Sequence, residues 1–125
     1  MVRLLRALVG LAALLFIGIA LQFMLFPDTA AERFALVPRG IEGLNTLRGD
    51  LGGLFLGGGV LMAAGVLYRQ TVWWLAAAAV VAAIAFGRLV GFVLDGWQGN
   101  SIAQWIIEIA IGALLVTAHR VARRA

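Results

Sequence analysis

Four apolar stretches, each close to a bilayer in length, constrain this chain more than any other feature. They run from about Leu4 to Phe26, Leu44 to Tyr68, Val72 to Leu94 and Ile102 to Val121. A helix needs about 20 apolar residues to cross the hydrocarbon core. In lipid, only helices and closed barrels satisfy every backbone amide and carbonyl. The runs are continuous rather than alternating, so helices are expected over strands. The expected fold is therefore all-α, a four-transmembrane-helix bundle forming a single integral membrane domain over residues 1–125.

Composition narrows the classes further. Hydrophobic residues make up 63% of the chain and charged residues 13%. That excludes a disordered chain, and a soluble monomer of this size has no means of hiding so much apolar surface. No cysteine is present, which excludes disulfides, thiolate metal sites and cysteine nucleophiles. Arg3 and Arg6 give the first stretch a basic start, but its apolar run is longer than the usual signal-peptide core and no small-x-small cleavage site follows. It reads as a retained helix.

Local signals mark the connections. Thr71 is placed to cap the third helix, and Ser101-Ile102-Ala103-Gln104 has the form of a capping box that starts the fourth near Ile102. The long connection from Pro27 to Gly43 contains a similar pattern, Thr29-Ala30-Ala31-Glu32, which predicts a short interfacial helix from about Ala30 to Leu36. Arg69 and Gln70 form a tight turn. All ten basic residues are arginine. Arg3, Arg6, Arg69, Arg120, Arg123 and Arg124 fall on one side, and only Arg33 and Arg39 on the other. The positive-inside rule then puts both termini in the cytoplasm. Trp73, Trp74, Trp97 and Trp105 lie where aromatic belts are expected.

The remaining charges lie inside the spans. Arg48 and Asp50 on helix two, Arg88 on helix three and Glu108 on helix four all fall roughly 6–10 Å below the outer boundary. Asn45 and Asp95 sit just above them. Charge in a bilayer is costly, so mutual pairing is expected. Arg48 and Asp50 are about 160° apart on a helix and do not face each other. Cross-helix pairs follow, Arg48 with Glu108 or Asp95 and Arg88 with Asp50. Asn45, Arg48, Asp50, Arg88, Asp95 and Glu108 are thus the candidate polar site. It is either functional, as a binding pocket or a proton-linked carboxylate, or an ion-pair network that specifies packing.

Glycine supplies a second pattern. Gly49, Gly53 and Gly57 repeat at four-residue spacing on helix two, and Gly87 and Gly91 do so on helix three. Such stripes let helices approach closely, within one chain or between two copies. Gly57-Gly58-Gly59 is no phosphate loop, because no lysine or hydroxyl residue follows it. His119, the one histidine, lies among the terminal arginines and reads as an interfacial helix-end residue rather than a ligand. No metal or cofactor site is expected. The terminal arginines are anchors to anionic lipid, not a nucleic-acid surface.

The blocks Gly43-Leu44-Asn45-Thr46-Leu47-Arg48-Gly49-Asp50-Leu51-Gly52-Gly53 and Gly87-Arg88-Leu89-Val90-Gly91-Phe92-Val93-Leu94-Asp95-Gly96 carry N-x-x-R-G-D and G-R-x-x-G-x-x-x-D-G signatures. They resemble an uncharacterised family of small bacterial four-helix membrane proteins, a domain of unknown function that in turn resembles the DoxX-type proteins. The resemblance implies a bacterial inner-membrane location and draws attention to Asn45, Arg48, Asp50, Arg88 and Asp95. It implies no activity and does not bear on Glu108.

Three functions compete. The first is a non-enzymatic protein acting as a homo-oligomer or as an accessory subunit of a membrane complex, favoured by small size and glycine-rich faces. The second is a small transporter or binding protein for a lipid-like or small solute, with the polar layer as its site. Small proton-coupled exporters place their carboxylate in the first helix, and here Ala7 to Met24 carries no charge. The third, ranked last, is a lipid-modifying enzyme with Glu108 or Asp50 as acid or base.

Overall fold

The computed structural model describes residues 1–125 and is entirely helical. Helix α1 runs Val2–Leu25, α2 Pro27–Arg33, α3 from Gly40 to Leu67, α4 Val72–Asp95 and α5 Gly99–Arg124. Four of the five are long and apolar enough to cross a membrane, as the apolar runs predict.

The ends differ in detail from the expectation. The short helix starts at Pro27 rather than near Ala30. Proline at the first helical position has its φ already set and lacks an N–H that would go unpaired there. Helix α5 begins at Gly99, ahead of the Ser101–Gln104 pattern, and no side chain caps it. Thr71 occupies the N-cap position of α4 without a side-chain capping bond. The turn between α3 and α4 passes through Arg69 at φ 56°.

The long helices form a ring in which α3 packs between α1 and α4, and α5 between α4 and α1. The main apolar core lies toward the end that carries both termini. It joins Val9, Ala12, Ala13 and Phe16 of α1 to Met62 of α3, Trp74, Ala77, Ala78 and Val81 of α4, and Ile111, Leu115 and Ala118 of α5. Five of these twelve side chains are alanine, which lets helix axes approach closely, and in lipid dispersion replaces the hydrophobic effect as the source of cohesion. Trp74 is therefore core rather than belt. It is fully buried and its Nε1 donates to Met62 O over 3.3 Å. His119 is buried too, its Nδ1 3.1 Å from Thr71 O. A carbonyl only accepts, so Nδ1 carries the proton, and the bond ties α5 to the turn before α4.

Close packing falls on glycines other than the expected stripe. A Cβ on Gly59 would lie 2.7 Å from Ile17 Cγ1 and 3.1 Å from Ala13 O, and one on Gly65 would collide with the Trp74 indole. Gly52 and Gly58 press on Met24 and Phe16 in the same way. Within the chain, by contrast, Gly49, Gly53, Gly57, Gly87 and Gly91 have nothing within 4 Å of a would-be Cβ. The stripe of Gly49, Gly53 and Gly57 turns away from the bundle, as does Gly87, whereas Gly91 lines a cleft beside Arg88.

At the opposite end α2 folds back over α1. Ala30 and Ala31 pack with Phe23 and Leu47 in a second small cluster, and Phe34 follows against it. The rings of Phe34 and Phe23 are 5.2 Å apart, and those of Phe34 and Phe55 5.9 Å.

Candidate functional site

Local backbone decides where the α3 charges point. Residues Leu47–Gly52 form a π-helical segment inside α3, and this segment holds both Arg48 and Asp50. A π turn takes in an extra residue, so everything upstream is rotated by about 100° relative to a regular helix. Arg48 consequently faces α1, where its Nε donates to Met24 O over 2.9 Å. That carbonyl belongs to the last turn of α1, where helical partners run out and a cation is favoured by the helix dipole. Arg48 is a terminal clamp on α1, not the partner of Glu108 or Asp95.

The ion pair that does form is between Arg88 of α4 and Glu108 of α5. Arg88 Nε lies 2.7 Å from Glu108 Oε1. It is the one salt bridge in the structure and replaces the expected pairing of Arg88 with Asp50. The two side chains are 24% and 13% exposed, so the pair sits at the edge of the interior. Trp105 braces it one turn away, its Nε1 donating to Ala85 O over 3.1 Å.

Arg88 separates two hollows. On the loop side it lines a polar cleft of about 210 Å³ with Asp95, Gln98 and Ser101. The stacked rings of Phe92 and Trp97, 4.5 Å apart, stand beside it. On the other side, Arg88 and Glu108 border a cavity of about 240 Å³. Its walls are apolar, with Phe16 and Ile19 from α1, Phe34 from the segment after α2, Phe55 from α3, Ile84 from α4 and Ile107 from α5. Glu108 Oε2 is buried and no donor of the chain reaches it. An unpartnered carboxylate oxygen beside an apolar hollow is a costly arrangement without a ligand or water.

The six expected polar residues therefore separate. Arg88 and Glu108 meet, Asp95 lines the outer cleft with Arg88 without pairing to it, and Arg48 serves α1. Asn45 and Asp50 are exposed and make no side-chain bond to the others. What sequence reasoning missed is the apolar lining and Gln104. Gln104 is one turn before Glu108 and lines the cavity rather than capping the helix. The spacing Gln104, Ile107, Glu108, Ile111 was the available signal, one helical face carrying two polar groups among isoleucines.

No group of three or more His, Asp or Glu side chains is placed to hold a metal ion.

Four long apolar helices with a charged pair set between two of them define a small multi-pass membrane protein. The chain belongs to the family described as a domain of unknown function, DUF4345, whose model matches residues 4–119. That match takes in both glycine–arginine blocks and Glu108. Neither curated proteins nor solved structures yield a match.

Proposed function

We propose that this protein binds a lipid-like or small amphiphilic solute in the cavity beside Arg88 and Glu108, without transforming it. One observation carries the reading: an apolar hollow of about 240 Å³ drawn from all four long helices, with a charged pair at its rim. Small-molecule sites have this character, mostly apolar walls with a few convergent polar groups. A cavity of about 150 Å³ already admits benzene. The protein sits in a bacterial inner membrane with both termini in the cytoplasm, and α2 lies at the outer interface. The six-to-two arginine asymmetry supports that orientation. The test is extraction in mild detergent followed by mass spectrometry of co-purifying small molecules, for wild type and for Ile84→Trp, which fills the cavity. An enriched amphiphile that disappears in the variant is expected. Identical profiles would overturn the reading.

A second reading rests on a different observation. Gly49, Gly53, Gly57 and Gly87 are exposed, with open space before them. Outward small-residue stripes favour close contact with another helix in lipid. On this reading the protein acts as a homo-oligomer or as an accessory subunit against a partner membrane protein.

A further inference from the structure

The polar cleft on the loop side of Arg88 stands apart from the apolar cavity and has its own chemistry. Its walls combine opposite charges: Arg88 and Asp95 of α4, with Gln98 and Ser101 at the start of α5. Arg88 uses only Nε on Glu108, and its two terminal nitrogens bond to nothing in the chain and remain accessible. The apolar cavity offers almost no polar surface, so these nitrogens are reached from the cleft. Asp95 is exposed and forms no ion pair. The two residues lie two turns apart on one face of α4, about 10 Å by helical rise.

The backbone divides the cleft in the same way. Asp95 is the last residue of α4, where unpaired carbonyls and the negative end of the helix dipole gather. A carboxylate there is unfavourable unless a cation offsets it. Helix α5 starts at Gly99 without a side-chain cap, so its first amides lack partners and carry the positive end of its dipole. A simple anion in the cleft would face Asp95, and the charge of Arg88 is already offset by Glu108 at 2.7 Å. A simple cation would face the guanidinium and leave its N–H groups without an acceptor. A molecule carrying both signs satisfies both walls.

Depth narrows the class further. The cleft lies where α4 and α5 end against each other, beside Trp97 and Trp105. Tryptophan is enriched at the level of lipid headgroups. The volume of about 210 Å³ exceeds the ~150 Å³ that holds benzene, which suits a ligand of headgroup size.

We infer that this cleft binds a zwitterionic phosphodiester, one whose phosphate is joined to an ammonium by a short linker. The phosphate accepts from the terminal nitrogens of Arg88, and the ammonium donates to Asp95. An ethanolamine phospholipid in the bilayer and a free zwitterion in solution share this chemistry.

Two arms test this on the full chain in uncharged maltoside micelles at neutral pH. In the first, equilibrium dialysis measures glycerophosphoethanolamine against glycerophosphoglycerol, which lacks the ammonium, with empty micelles as the blank. In the second, native mass spectrometry measures retention of phosphatidylethanolamine against phosphatidylglycerol of the same acyl chains from an equimolar mixture. A preference of about tenfold or more for the ethanolamine form is expected. Seen in the first arm, it supports the inference with a free solute as the source. Confined to the second, it supports the inference with a lipid headgroup as the source. Asp95→Asn should abolish the preference, whereas Asp50→Asn, which removes an exposed acid on α3, should leave it intact. The double variant Arg88→Gln with Glu108→Gln, which leaves no lone charge, should weaken the ethanolamine ligand about tenfold or more. No preference in either arm overturns the inference. So does a preference that survives Asp95→Asn, one lost equally in Asp50→Asn, or binding unchanged in the double variant. None of these outcomes bears on the apolar cavity, which Ile84→Trp tests separately.

Discussion

Arg88 Nε and Glu108 Oε1 meet at 2.7 Å, joining α4 to α5 at the rim of an apolar cavity. Their residues are twenty positions apart, and the pair forms where the main core ends and the four long helices leave a hollow between them. Because the two charges cancel, this site is invisible in the net charge of +4, which reflects the arginines near the termini.

Removing one partner of that pair leaves the other uncompensated in a poorly hydrated place. Breaking a buried pair costs roughly 3–5 kcal/mol, and the partial exposure of Arg88 sets the expected loss for Arg88→Ala at the lower end of that range. The double variant Arg88→Gln with Glu108→Gln should recover most of the loss. Thermal unfolding in detergent measures both, and a double variant no more stable than Arg88→Ala would contradict the pairing.

Gly59 and Gly53 should respond oppositely to alanine. At Gly59 the new Cβ would meet the Ala13 carbonyl and Ile17 backbone, which cannot move aside as a flexible side chain can. Overpacking of this kind costs about 1–3 kcal/mol. At Gly53 nothing stands within 4 Å, so Gly53→Ala should leave monomer stability unchanged. Comparative unfolding in the same detergent checks the contrast.

The outward glycines make a separate prediction about assembly. Gly53→Leu with Gly57→Leu should leave helix content intact but shift the detergent-solubilised protein toward monomer. Sedimentation equilibrium reads this directly. A wild type that is already strictly monomeric, with no co-purifying partner, would remove the oligomer reading.

Arg48→Ala should loosen the end of α1 rather than empty the cavity. It deletes the bond to Met24 O, worth about 1 kcal/mol at an exposed site. The expected signature is faster hydrogen exchange across Phe26–Phe34, with binding of a cavity ligand unchanged. Loss of ligand binding on this substitution would show that Arg48 belongs to the site after all.

Much of the architecture was legible in the amino-acid order. Hydropathy placed the four long helices within a few residues of their ends, because crossing a bilayer is a local property of about 20 residues. The attention to Arg88 and Glu108 also came from sequence, through their similar depth along two helices. Their partnership did not, since depth says nothing about rotation around the helix axis. The same limit applies to glycine. The four-residue rhythm of Gly49, Gly53 and Gly57 is conspicuous in sequence, yet Gly52, Gly58, Gly59 and Gly65 face the neighbouring helices.

The sequence by itself determined that this chain is a bundle of apolar helices, with its acids and four of its arginines kept away from the end that holds the termini. Tertiary structure decided which charges touch, which glycines pack and that a cavity lies beside Glu108. The physical reason lies in helix phase. The π segment at Leu47–Gly52 turns Arg48 toward α1, and a rotation of about 100° per residue makes face assignment sensitive to a single inserted position. Cavity walls assembled from Phe16, Phe34, Phe55, Ile84 and Ile107 are contributed by five separate helical or loop segments, and only folding brings them to one place.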